Sequence, residues 1–169
     1  PANWCDALIL HLNVKYCRRA ARNGSTVLST AIGRNFDQPL SSAYRVEFSY
    51  RVAASRPDYM DVELAALQGP IGTGNYLISL EAVGLKNERA FVHLRYSYTY
   101  GFAGRLAMKT YLATSGSDKV GFTVIGDRND SEPRFIGGVR GAIERNTMRY
   151  YLAIDAYLGA LATPAPARF

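Results

Sequence analysis

Residues 90–102 read AFVHLRYSYTYGF. Five of these thirteen residues are aromatic, and Tyr96, Tyr98 and Tyr100 follow at two-residue spacing. A period of two marks a strand with one covered and one wet face. Parity sets Val92, Leu94, Tyr96, Tyr98 and Tyr100 on one side and His93, Arg95, Ser97 and Thr99 on the other. Three uses compete for so many rings: a nucleic-acid platform, the girdle of a membrane barrel, or the wall of a pocket.

The same alternation extends upstream. In YRVEFSYRVA, Tyr44, Val46, Phe48, Tyr50 and Val52 oppose Arg45, Glu47, Ser49 and Arg51. Met60, Val62 and Leu64 oppose Asp61 and Glu63, while Tyr76, Ile78 and Leu80 oppose Ser79 and Glu81. VLSTAIGRNF alternates loosely. SRPDY, QGPIGTGN and LKNER supply the turn residues between strands. Consecutive strands at this spacing predict an antiparallel meander of about six or seven strands.

Beyond Gly101 the period changes. RLAMKTYLATSG predicts a short helix with Leu106, Met108, Tyr111 and Leu112 inward and Gly116 as its stop. KVGFTVIG reads as a strand and GDRNDSEP as a loop. VRGAIERNTMRYYLAIDAYLGAL predicts the longest helix. Its apolar stripe is Ile143, Thr147, Tyr150, Ile154, Tyr157 and Leu161, broadened by Tyr151 and Leu158. The fold class is α+β: a curved antiparallel sheet, short N-terminal helices, and a long C-terminal helix as cover. Residues 1–162 form one domain, and 163–169 a flexible tail.

The 169-residue chain carries a net charge of +6, with a pI near 9.5. That balance favours anionic partners, a membrane surface among them. The densest basic run is Lys15, Arg18, Arg19 and Arg22. No stretch is apolar enough for a transmembrane helix, and PANWCDAL has no signal-peptide pattern. Cys5 and Cys17 would lie about 18 Å apart along one straight helix, too far for a disulfide. A turn at Asn13, after a short helix in WCDALILHL, would let them pair and would imply an oxidising compartment. The alternative is two buried thiols.

Catalytic and metal signatures are sparse. His93 falls on the wet face with Arg95, and His11 beside the apolar N-terminal segment, where a structural role is expected. There is no GxSxG, HExxH or CxxC, so the expectation is no enzyme, no cofactor and no metal. GPIGTG lacks the Lys-Ser/Thr of a phosphate loop. GGVRG opens the last helix, where Arg140 or Arg145 could hold an acidic head group. RYSYTYGF does not match an RNA-recognition pattern, so no nucleic acid is expected. Amphipathic helices have no place in a barrel wall.

The hairpin-rich sheet followed by RYSYTYGF, RLAMKTYLATSGSDKVGF and GGVRGAIERNTMRYYLAIDAYLGAL resembles the START/SRPBCC superfamily over residues 40–161. The resemblance is to an uncharacterised bacterial branch of exported or envelope-associated, periplasmic proteins. It implies a helix-grip fold whose cavity, between sheet and helix, takes lipids, sterols, polyketides or other apolar molecules. The chain departs from that pattern by opening on PANWCDAL rather than on a strand. Inward tyrosines need hydroxyl partners, which also suggests a cavity with a polar ligand head. The expected function is non-enzymatic binding of a lipid-like small molecule. The expected walls are Phe48, Tyr50, Leu64, Ile78, Tyr96, Tyr98 and Tyr100 on the sheet, and Met148, Tyr151, Ile154 and Tyr157 on the helix. The rival is an envelope structural or interaction protein with a filled core. A cavity below about 300 Å³ would favour the rival.

Overall fold

The computed structural model describes residues 4–86, 89–114, 116–126, 132–164 and 167. A single helical turn, α1 (Cys5–Leu8), precedes six strands: β1 (Val14–Arg22), β2 (Ser25–Ile32), β3 (Tyr44–Ser55), β4 (Tyr59–Gln68), β5 (Thr73–Gly84) and β6 (Ala90–Tyr100). They form one curved antiparallel sheet in strictly sequential order. Then come α2 (Phe102–Ala113), a small hairpin of β7 (Val124–Ile125) and β8 (Arg134–Phe135), and α3 (Gly138–Gly159). Among the described residues there are three α-helices.

The parity read from the sequence holds across the sheet centre. Tyr50, Leu64, Ile78 and Tyr96 line up in register across β3 to β6, as do Val52, Val62, Leu80 and Leu94. Val46, Phe48, Val62, Leu64, Ile78 and Leu80 are buried. Tyr44, at the start of β3, and Val52, beside the register shift between Val52 and Ala54, are exposed.

Two features differ from the sequence reading. First, VKYCRRAAR is a strand, not merely a basic run. Asn23 and Gly24 join it to β2, both at positive φ (50° and 77°), as a two-residue hairpin turn of this twist requires. Second, α2 begins at Phe102 and leaves Leu106 and Tyr111 exposed; only Met108 and Leu112 are partly covered. Gly116 does stop it, returning its N–H to the Tyr111 carbonyl at 2.8 Å. KVGFTVIG contributes only the two-residue β7, and most of GDRNDSEP lies outside the described residues.

The cover has two parts. α3 packs on β6 and on α1, and α1 packs on β1. A disulfide joins Cys5 to Cys17 with Cα atoms 5.2 Å apart, tying α1 to the edge strand. The chain reverses at Asn13, as expected. Asn13 accepts the Gly33 N–H at its carbonyl (2.7 Å), donates Nδ2 to the Gly33 carbonyl (2.8 Å), and accepts Arg149 Nη1 at Oδ1 (2.9 Å). One residue thus joins α1, β2 and α3.

The β4–β5 connection is a single 3₁₀ turn, Pro70–Gly72, in which Ile71 has φ 55°. A β-branched side chain in the left-handed region is costly. The turn is fixed from within: Thr73 Oγ1 donates to the Pro70 carbonyl and lies 2.6 Å from the Tyr76 hydroxyl. Replacing Ile71 with glycine should therefore raise stability, by about 1 kcal/mol, read as a higher urea midpoint with an unchanged slope.

Candidate functional site

The expected site lies where α3 crosses the sheet. There the aromatic side chains meet one another. Tyr76 stacks on Tyr98 (centroids 5.3 Å, planes 13° apart), Tyr96 lies 5.7 Å from Tyr98 and 5.6 Å from Tyr150, and Phe48 meets Tyr76 edge-on at 6.4 Å. Such pairs fill space that a ligand would need. The void remaining between sheet and helix is about 20 Å³, lined by Trp4, Leu8, Val62, Leu64, Ile78, Leu80, Leu94, Tyr150 and Ile154. That is room for about one water, and a lining this apolar stays dry.

Of the expected wall residues, Leu64, Ile78 and Ile154 line this void. Phe48 and Tyr157 are buried in the packed core, and Tyr50, Tyr96, Tyr98 and Met148 are partly covered. Tyr100 lies at the exposed rim and Tyr151 is 45 % exposed. The helical stripe is therefore narrower than expected: Tyr150, Ala153 and Tyr157 turn inward, while Tyr151, Leu158 and Leu161 face out. Trp4 and Leu8 were missed as site residues. Their signal was available in the WCDAL run once Cys5 was tethered to Cys17.

One inward tyrosine hydroxyl finds a partner within its own strand. The Tyr76 hydroxyl lies 2.6 Å from that of Thr73. Burial drives the Tyr96 and Tyr150 hydroxyls far above the usual phenol range, so both remain protonated. For Tyr76 the hydroxyl's partner comes from the chain itself.

His11 is the other buried polar group here. It stacks at 4.3 Å against Tyr150, and Nδ1 accepts the Asn13 N–H at 3.2 Å, which assigns the ring proton to Nε2. Nε2 has no hydrogen-bond partner among the described residues. Desolvation first, then the Arg149 charge, lower its pKa to about 4; Asn146 offsets part of this without closing a bond to Nε2. A base whose folded pKa is depressed leaves stability intact at neutral pH. That stability is lost as pH falls from the unfolded value near 6.5 toward about 4. The expected loss is about 2 kcal/mol by pH 5, measured as urea midpoints at pH 7.5 and pH 5. A His11→Gln variant should lose this component of the slope.

The expected anion site is altered. Arg140 Nε donates to Glu144 Oε1 at 3.0 Å, so its charge is matched. Glu144 also accepts the backbone N–H groups of Phe122 and Thr123 and the Thr123 hydroxyl, at 2.8–3.1 Å. Desolvation raises its pKa, but these bonds together outweigh it and hold the carboxyl below its ordinary value. Glu144 thus staples the segment before β7 to α3. Arg145 is exposed one residue further on. Partial desolvation, then Arg145 and Arg149, depress the pKa of Lys119. His93 sits on the exposed outer face, its Nδ1 3.0 Å from Glu81, as its parity predicted.

On the outer face a depression of about 290 Å³ is open to solvent, beside the irregularity between Gly74 and Leu77. Ser49, Ala65, Leu67 and Leu77 contribute to its floor. Among the described residues no cluster of His, Cys, Asp and Glu has metal-binding geometry, and no helix is long and apolar enough to cross a membrane.

The molecule belongs to the α+β class, a sequential antiparallel meander under a disulfide-tethered helical cover. Comparison of the chain with protein-family models, with curated proteins and with solved structures returns no match.

Proposed function

We propose that this domain is a non-enzymatic interaction protein of an oxidising, envelope-side compartment, acting through its surface around a filled core. The observation that carries this reading is the void of about 20 Å³ between sheet and α3, against about 300 Å³ for a small ligand site. The disulfide supports an oxidising compartment, and the periplasm is the compartment we assign on the START-like resemblance. The basic balance directs the surface toward anionic partners.

A second reading keeps the helix-grip assignment and a lipid-like ligand between sheet and helix. It is favoured by the wholly apolar lining and by a cover whose N-terminal part is one helical turn. It requires α1 and α3 to move apart. Titration with a fluorescent fatty acid separates the two. The surface reading expects no saturable one-to-one binding. Saturable binding that a space-filling Leu64→Trp substitution abolishes would establish the second reading instead.

A further inference from the structure

Consecutive antiparallel strands alternate their ends, so the β4–β5 turn and the β6–α2 junction lie at the same end of the sheet. They are in contact: a Cβ at Gly104 would sit 3.3 Å from the Ile71 carbonyl oxygen. This end shows large apolar side chains to solvent, with Phe102 85 %, Leu67 84 %, Ile71 59 % and Leu106 57 % exposed. Single exposed apolar residues are ordinary, but a grouping of this kind marks a contact surface. Ile71 is held there at the cost of a left-handed backbone.

Charge identifies the partner. Residues 64–80 and 96–117, which form the β4–β5 turn, the β6–α2 junction and α2, contain no Asp or Glu; the β2–β3 connection at the same end carries Asp37 together with Arg34. Arg105 and Lys109 stand exposed on α2 beside Leu106 and have no ion pair among the described residues. Large apolar side chains flanked by unopposed cations, on a helix too short to span a bilayer, are the chemistry of an interfacial contact with anionic lipid. Phe91, an exposed ring at the opposite end of β6, differs: it pairs with Val83, and the next pair on that face is Glu81 with His93.

We infer that α2 and the β4–β5 turn form a docking surface for an anionic bilayer, with Phe102 and Ile71 entering the interface and Arg105 and Lys109 meeting the lipid charge. The inference rests on the surface reading above and names its partner.

Flotation tests it, with vesicles of phosphatidylcholine containing roughly one-third phosphatidylglycerol against vesicles of phosphatidylcholine alone. The protein should float with the anionic vesicles only, and less so at high salt. Arg105→Ala with Lys109→Ala should weaken binding about thirtyfold, and Phe102→Ser with Ile71→Ser at least about tenfold. Phe91→Ser should bind as the parent does. Melting curves verify that each variant is folded. No flotation of the parent protein, equal flotation with neutral vesicles, or full binding by either double variant would overturn the inference and leave the filled core untouched. Self-association through this end without flotation would overturn it too. A soluble lipid–protein complex in place of flotation would overturn both this inference and the surface reading.

Discussion

Replacing Trp4 with alanine should destabilise the domain by about 3–5 kcal/mol, the usual range for removing a buried large aromatic side chain. Trp4 is almost fully buried and belongs to the central core with Leu64, Ile78 and Tyr150. It already borders the small void, so its removal would enlarge an unfilled space. The surroundings have little freedom to collapse: Tyr150 is fixed by His11 and Tyr96, and the sheet behind it by its hydrogen bonds. Thermal melting should fall by roughly 10 °C or more for a domain of this size. Loss of less than about 1 kcal/mol would mean that α1 does not close the core.

Removing the disulfide should have the next largest effect, about 3 kcal/mol for a loop of this length. The measurement is equilibrium unfolding of a Cys5→Ala, Cys17→Ala variant, or of the reduced protein. α1 is a single turn with no side-chain N-cap, and a helix that short does not persist unaided. Its place over the sheet therefore depends on the bridge and on the Asn13 bonds. The two sites should consequently couple. With the bridge removed, the cost of Trp4→Ala should shrink, because α1 is then partly released. Strict additivity of the two changes would contradict the tethered cover.

The sheet was legible where one face is covered and the other wet. Val46, Phe48, Val62, Leu64, Ile78 and Leu80 alternate because a period of two cannot place them otherwise, and all are buried. β1 was missed because it lies at the sheet edge, where the cover ends. Its inward positions are Cys17, Arg19 and Ala21, which show no apolar alternation. The Asn23–Gly24 pair was the signal that could have revealed it. On α3, Tyr151 and Leu158 sit beside the stripe, and only the position of the sheet decides how wide the buried arc is.

The cavity was the hardest feature to read. A list of inward tyrosines is the same whether the rings face a ligand or each other. What decides it is register: Tyr76 pairs opposite Ala66, and the bulge between Gly74 and Leu77 brings its ring flat against Tyr98. The stretch from residue 90 to 102 is thus a wall, but its rings are met by other rings. The charge of the chain was legible in sum. That its acid-free segments meet at one end followed only from the order of the strands.

The space between sheet and α3 is filled by the protein's own side chains, leaving a void of about 20 Å³. Native mass spectrometry of protein purified without detergent or denaturant tests it most directly. The expected result is the mass of the bare oxidised chain and, on organic extraction, no stoichiometric lipid. A co-purifying apolar molecule at one per chain, lost when Leu64 is replaced by tryptophan, would contradict it.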